Sequence, residues 1–416
     1  MKYINFKKYL FVFFSINISL IPFFLVTGPF LPDLSLSVCS LLYLFYVLSN
    51  KQFNVFRNIL FIFFLIFYFT IVLSSFLSDH IIFSLHSSLP YIRFGLFSLC
   101  VWHTAKEDKN LFNRIFIVLT IVYLALILDG YLQFFTGSNI LNYEKVGVRV
   151  SSFFGDEYIM GSYVSRFFPI YIGLYFFITQ KRSIFFFEKI IVLLFFILIL
   201  VLVIISGERT AFGLLIISFL FMLFFLYGLK QLKVSFLIIF FFISSIFLSV
   251  YQNNFQRLFI ETKDQIFANE NTLFFGERRN EYAKVSVNIF KDNIFFGAGP
   301  RTYRIESKNE QYKVSELSWN THPHNMFIQL LAETGLSGTI LVFIAFCYFF
   351  VLLLRKFFIK SNYNKTSNFQ ICIIIAVIIN IFPMIPSGNF FNNWTSIVSF
   401  YPISIFFALN RNLKFT

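Results

Sequence analysis

The stretch IIVLLFFILILVLVIISGERTAFGLLIISFLFMLFF, residues 190–225, holds two apolar runs with almost no linker between them. Each run approaches the roughly 20 residues that a helix needs to cross a hydrocarbon core of about 30 Å. The junction SGERTAFG leaves room only for a tight turn, which puts Arg209 at or slightly below a membrane boundary. A charge there is costly, so it pairs, lines a water-filled cavity or binds substrate. Glu208 next door offers the structural pairing, and a functional role is the competing reading.

Runs of this kind recur along the chain. Hydrophobic residues make up 58%, charged residues 13%, and mean hydropathy is +0.75, far from the composition of a soluble domain. The expected fold is all-α, a polytopic membrane protein of about twelve transmembrane helices with a large helical loop. The spans fall near 9–27, 34–50, 59–77, 87–105, 114–135, 158–179, 188–206, 210–228, 233–251, 325–354, 369–386 and 393–410. Three parts follow: helices one to nine over 1–251, a loop or cap over 252–324, and helices ten to twelve over 325–416. The first span lacks a small-residue cleavage site and reads as a retained helix.

Charge in the connections orients the bundle, because short cytoplasmic loops are enriched in Lys and Arg. Lys2, Lys7 and Lys8 precede the first helix. Basic residues then recur in every second connection: Lys51 and Arg57; Lys106, Lys109 and Arg114; Lys181 and Arg182; Lys230 and Lys233; Arg355, Lys356, Lys360 and Lys365; Arg411 and Lys414. The alternate connections TGPFLPD, SDHIIFSLH and PSGNFFNN contain neither residue. Both termini are therefore expected in the cytoplasm. The formal net charge of +14 is spread through these inner loops as topology requires, which removes the argument for a nucleic-acid partner. Cys39, Cys100, Cys347 and Cys372 lie in apolar stretches without metal-ligand spacing and read as small core residues.

Some basic residues break the charge rule on the outward side. They are Lys145 and Arg149 before helix six, Arg209, and ten in the long loop 252–321. Long loops escape the rule, so most of those ten read as solvated. Arg93 and Arg166 fall inside expected helices, where pairing with Asp129, Asp156 or Glu157 is the structural reading. The loop carries an amphipathic segment, RRNEYAKVSVNIFKD, opened by Arg278 and Arg279. It is followed by IFFGAGPRTYR, whose Gly297, Gly299 and Pro300 mark a tight turn able to bring backbone close to a ligand.

The loop ends on THPHNMFIQLLAETGLSG, residues 321–338, where histidine, amide, carboxylate and paired glycines gather at a helix mouth. If His324 opens a continuous helix, Gly335 and Gly338 fall within about 40° of its face, leaving space for a neighbouring helix or a lipid tail. Glu333 then lies about 180° away. Asn325 either caps the helix or meets a sugar. Three readings of His322 and His324 stay open: a metal site, which lacks further ligands at fitting spacing; a structural pair; and a general base near neutral pKa able to deprotonate a sugar hydroxyl.

These residues resemble the O-antigen ligase and O-antigen polymerase superfamily of bacterial envelope glycosyltransferases. His324-Asn325, nine residues, then Gly335-Leu-Ser-Gly338 is similar to that family's H-N-x9-G-x-x-G pattern. SGERTAFG resembles its short turn with a functional arginine, here Arg209. GERRNEYAKVSVNIFKDNIFFGAGP resembles its segment with an arginine four residues before an aromatic, which by spacing selects Arg278 with Tyr282 and leaves Arg279 second. RVSSFFGDEYIMGSY, from Arg149, resembles a segment after helix five.

The resemblance implies a glycosyltransferase-C-like membrane enzyme of the bacterial inner membrane, with its active site facing the periplasm and both histidine and arginines at the outer boundary. The implied donor is a glycan on undecaprenyl pyrophosphate. The acceptor is a lipid A-core sugar for a ligase, or another lipid-linked repeat for a polymerase. Arg209 and Arg278 would neutralise the pyrophosphate without a metal or other cofactor, and His324 would be the base for inverting transfer. Arg279, Arg301, His322, Asn325 and Arg149 would contact substrate. A transporter of lipid-linked sugars shares the topology, but no inverted repeat or matched pair of broken helices is visible.

Overall fold

In a computed structural model, residues 2–180, 185–228, 230–251, 253, 256–263, 277–316, 318–358 and 365–409 are described. The expected inner-loop residues Lys181, Arg182, Lys360, Arg411 and Lys414, and the loop stretch 264–276, lie outside them. The described residues are helical, with isolated bridges and no strands.

Each of the twelve apolar stretches contains a helix. They are α1 (Lys2–Phe24), α2 (Phe30–Ser49), α3 (Ile59–Phe76), α5 (Ile92–Glu107), α6 (Leu111–Thr136), α7 (Met160–Ile178), α8 (Phe186–Ile205), α9 (Arg209–Phe225), α10 (Lys230–Val250), α13 (Met326–Phe358), α14 (Lys365–Asn380) and α15 (Asn393–Leu409). Between them lie α4 (Ile81–Ser88), α11 (Glu277–Asp292) and α12 (Tyr303–Glu306). Among the described residues, six helices are long and apolar enough to cross a membrane, the pattern of a multi-pass membrane protein: those within α1, α2, α3, α6, α8 and α13. α9, α14 and α15 are apolar but shorter, at 17, 16 and 17 residues.

Two expectations about the connections change. SDHIIFSLH, expected as a plain loop, contains α4, which Ser75 and the hydroxyls of Ser84 and Ser88 tie back to α3 at 2.7–2.8 Å. Arg93 does pair, but with Asp33 of α2 at 2.8 Å and with the side-chain Oδ1 of Asn393 at 2.9 Å, not with the acids suggested from sequence. These partners are distant in sequence, and no local spacing points to them.

α11 is short of apolar residues on one side and has Tyr282, Val285, Ser286 and Ile289 buried on the other, the i, i+3, i+4, i+7 pattern of an amphipathic helix. That face makes a small core with Ala298, Tyr303, Tyr312 and Ala332, so the cap is built onto the first turns of α13. The join is made through glycine. Gly335 has φ 62° and ψ −159°, which breaks α13 at the first residue of the GLSG motif. The exposed backbone of the break pairs with the loop: Leu336 N–H donates to Ile294 O at 2.8 Å and Ser337 N–H to Phe295 O at 3.1 Å. Upstream, Ala298 and Gly299 donate to Ala332 O and Glu333 O at 2.9 Å. A Cβ on Gly335 would lie 2.5 Å from the Phe295 carbonyl carbon, and one on Gly297 would lie 2.3 Å from the carbonyl carbon of Glu333.

The continuous helix assumed for residues 324–338 is therefore replaced by two arms. The glycine turn of the loop packs against this break, and the space expected beside Gly335 is filled by loop backbone.

Candidate active site

The connection between α8 and α9 is short because Ser206 and Gly207 close the turn, with Gly207 at φ 64°. Glu208, expected as a partner for Arg209, turns instead to the start of α7. Its carboxylate accepts the N–H of Gly161 at 2.6 Å, the N–H of Ser162 at 3.1 Å and the Ser162 hydroxyl at 2.7 Å. The first N–H groups of a helix lack partners within it, so an acid here completes them and favours the positive helix end. Burial pushes the Glu208 carboxyl up to about 7, while these donors and Arg149 hold it down.

Arg209 stands on the opening residue of α9, on the wall of a cavity of about 980 Å³. Arg149, Arg166, Arg257 and Arg279 line the same cavity, with Glu157 and Glu208 the only acids among its lining residues. Each arginine arrives from a different part of the chain. Arg149 stacks over Tyr158, 4.3 Å from the ring centre, and donates to Tyr158 O at 3.1 Å. Arg166 is buried within α7 and donates to the side-chain Oδ1 of Asn380 at 2.7 Å. Arg257 lies on a π-helical turn, Gln256–Ile260, donates to Gly207 O at 2.9 Å and has Glu261 at 4.0 Å. Arg279 comes from α11, and burial and then Arg209 hold its guanidinium below the usual range. Arg149 is lowered by burial first, with Glu208 opposing. All remain cations at neutral pH, because guanidinium does not deprotonate in that range.

The histidines form the roof. His324 has φ 57° and precedes α13, which begins at Met326, so it does not open the helix as expected. Asn325 is the cap: its Oδ1 accepts from Phe327 and Ile328 N–H at 3.0 and 3.1 Å, and its Nδ2 donates to Pro383 O at 2.8 Å. Its amide is thus engaged at both ends, which favours capping over a sugar contact. The rings of His322 and His324 lie 4.2 Å apart, and Tyr282 lies 6.0 Å from His324. Burial lowers both imidazoles. His324 is lowered further by Arg279, and His322 falls to about 4 with help from His324 and Arg304. Both are therefore neutral at pH 7 and carry a lone pair able to accept a proton.

Among the residues singled out from sequence, Arg149, Arg209, Arg279, His322, His324 and Asn325 line this one cavity. Arg278 and Arg301 do not; Arg278 is exposed. The spacing that favoured Arg278 cannot separate the two arginines, since on a helix they fall about 40° and 60° to either side of Tyr282. Arg279 is on the side that turns toward the cavity. Arg166 and Arg257 were missed: the first read as a structural pair, the second as one of many solvated loop cations. Glu333 is fully buried, accepting from Tyr303 N–H at 3.1 Å and Gln329 Nε2 at 2.9 Å, and it holds the cap and not the histidine. Among the described residues no three His, Cys, Asp or Glu side chains stand together as a metal site.

Below the arginines, Gly213 and Ile217 of α9, Ile328 of α13 and Val398 of α15 continue the lining into the helices. The cavity therefore passes from a cationic mouth to an apolar depth in a multi-pass membrane protein. Residues 193–343, which supply Arg209, Arg257, Arg279 and both histidines, match the family model described as O-antigen ligase. No curated protein matches the chain.

Proposed function

We propose that this protein is an O-antigen ligase-type glycosyltransferase that moves a glycan from undecaprenyl pyrophosphate to a sugar hydroxyl of lipid A-core. In this reading all twelve apolar helices span the bacterial inner membrane, both termini are cytoplasmic, 252–324 caps the periplasmic side, and the cavity opens there. The observation that carries it is the gathering of five arginines and two neutral histidines on one cavity whose depth is apolar. A pyrophosphate joined to a polyprenyl tail has this same division into a charged head and an apolar chain.

Arg209 and Arg279, with Arg279 in the place first expected for Arg278, face the pyrophosphate and neutralise the charge that builds as it leaves. Arginine suits the task because its planar fork binds phosphate oxygens two at a time. Arg149 sits close enough to add to the same field. His324 takes the acceptor hydroxyl proton. The acceptor oxygen bonds to the anomeric carbon, the bond from that carbon to the phosphate oxygen breaks, and undecaprenyl pyrophosphate leaves with the electron pair. Attack opposite the leaving group inverts the anomeric centre.

The test is the envelope glycolipid pattern of a host deleted for this gene, with wild type or His324→Ala returned. A bare core with accumulated lipid-linked polymer is the expected result for a ligase. A core carrying a single repeat unit would instead assign the chain to polymerisation of lipid-linked repeats, which uses the same clamp and base with a different acceptor. Full restoration by His324→Ala at normal protein levels removes His324 as the base and brings transport forward.

A further inference from the structure

His324 is held by one side chain whose role no motif assigns. The Asn320 amide nitrogen lies 3.1 Å from His324 Nε2. The sense of that amide is fixed by its other end, because Asn320 Oδ1 accepts the Thr321 N–H at 2.6 Å and the Thr321 hydroxyl at 3.3 Å. An oxygen so engaged leaves the NH₂ group to face the ring, and an N–H donor requires a lone pair on Nε2. A neutral imidazole has one ring proton, which then sits on Nδ1.

The chain of bonds continues to the second ring. The Thr321 hydroxyl lies 3.0 Å from His322 Nδ1, and His322 Nε2 is buried with no hydrogen-bond partner among the described residues. The segment 320–324 thus sets the two rings side by side on the cavity wall, with the His324 lone pair on Nε2.

We propose that Asn320 is a positioning residue for glycan transfer: its amide selects the His324 tautomer with an unprotonated Nε2 and occupies the place that the acceptor hydroxyl takes on binding. The inference rests on the reading of His324 as the base. An incoming O–H donates to Nε2 as the amide N–H did, so the lone pair is in place before the acceptor arrives. As the new carbon–oxygen bond forms, that proton passes to Nε2 and the pyrophosphate departs with the electron pair. The charged and titratable groups facing the ring are Arg279 and Tyr282 from α11 and His322 from the same segment, and Arg209 of α9 lines the same cavity.

The test uses the full-length protein purified in nanodiscs with ¹⁵N-labelled histidine, with the His324 signals identified by their loss in His324→Gln. Wild type is expected to show a protonated Nδ1 and an unprotonated Nε2. Asn320→Asp presents an acceptor, so the proton should move to Nε2, transfer should fall by about 100-fold, and the acid limb of the pH–rate profile should move upward. Asn320→Ala removes the donor without supplying an acceptor and should lower transfer by about tenfold or less. A wild-type ring protonated on Nε2, or the same tautomer in wild type and Asn320→Asp, overturns the assignment even if transfer occurs. The expected tautomers together with full transfer by His324→Gln overturn the base, and with it the catalytic part of the Asn320 role. Melting curves of both variants separate either result from misfolding.

Discussion

The two ends of the helical bundle treat charge in opposite ways. α1 has Lys7 near one end, while Leu25, just past the other, accepts a bond from Trp394 on the cavity wall. At the Lys7 end the cations Lys7 and Arg114 each have an acid. Lys7 pairs with Glu107 at 2.8 Å, His103 has the same carboxylate at 3.6 Å, and Arg114 pairs with Asp108. At the cavity end, five arginines share Glu157 and Glu208 among the lining residues, with Glu261 behind Arg257. Matched charge is scaffold, and each such surface pair contributes little. A cavity lined predominantly by charge of one sign raises the local potential and favours an anion there.

The contrast is broken most sharply by removing an arginine at the cavity. Arg209→Ala and Arg279→Ala should each lower glycan transfer in proteoliposomes by about 10²–10³-fold, the usual loss for one group stabilising developing charge. Arg278→Ala, one position away but exposed, should change transfer by less than about threefold. Equal losses for the two neighbours would mean that the cavity does not distinguish them.

Next in size is the glycine join. Gly335→Ala places a side chain at φ 62° and against the Phe295 backbone, and should destabilise the protein by about 2–4 kcal/mol as read by thermal melting. Because the same join seats α11, transfer should fall with it.

A smaller effect concerns the cavity histidines and pH. Burial keeps His324 and His322 below 6.5, with His322 at about 4, so the unfolded chain binds these protons first as pH falls. Their contribution to stability should be complete above about 6.5 and decline toward about 4, and the acid limb of transfer should lie below 6.5. A melting temperature flat across that window would contradict neutral histidines. Smallest of all, Lys7→Ala should cost about 0–1 kcal/mol and leave transfer unchanged.

Sequence was most informative where physics is local. Length and apolarity located all the long helices, and the period of α11 located its buried face. His324, Asn325 and Arg209 could be picked out because each sits at a change from polar to apolar sequence. What stayed hidden depends on distant partners or on a few degrees of backbone. Nothing near Arg166 or Arg257 indicates that they share a cavity, since their nearest partners are Asn380 and Gly207. The choice between Arg278 and Arg279 turns on how α11 is rotated. The break at Gly335 was obscured because a glycine inside an otherwise helical pattern reads equally well as close helix packing.

The most direct test of the account is binding of undecaprenyl pyrophosphate to the purified protein, followed as a rise in melting temperature at low and high salt. Wild type, His324→Ala and Lys7→Ala are expected to be stabilised, less so at high salt, whereas Arg209→Ala and Arg279→Ala lose the effect. Equal stabilisation of the arginine variants, or none in wild type, would show that the cavity's excess cations do not bind the pyrophosphate.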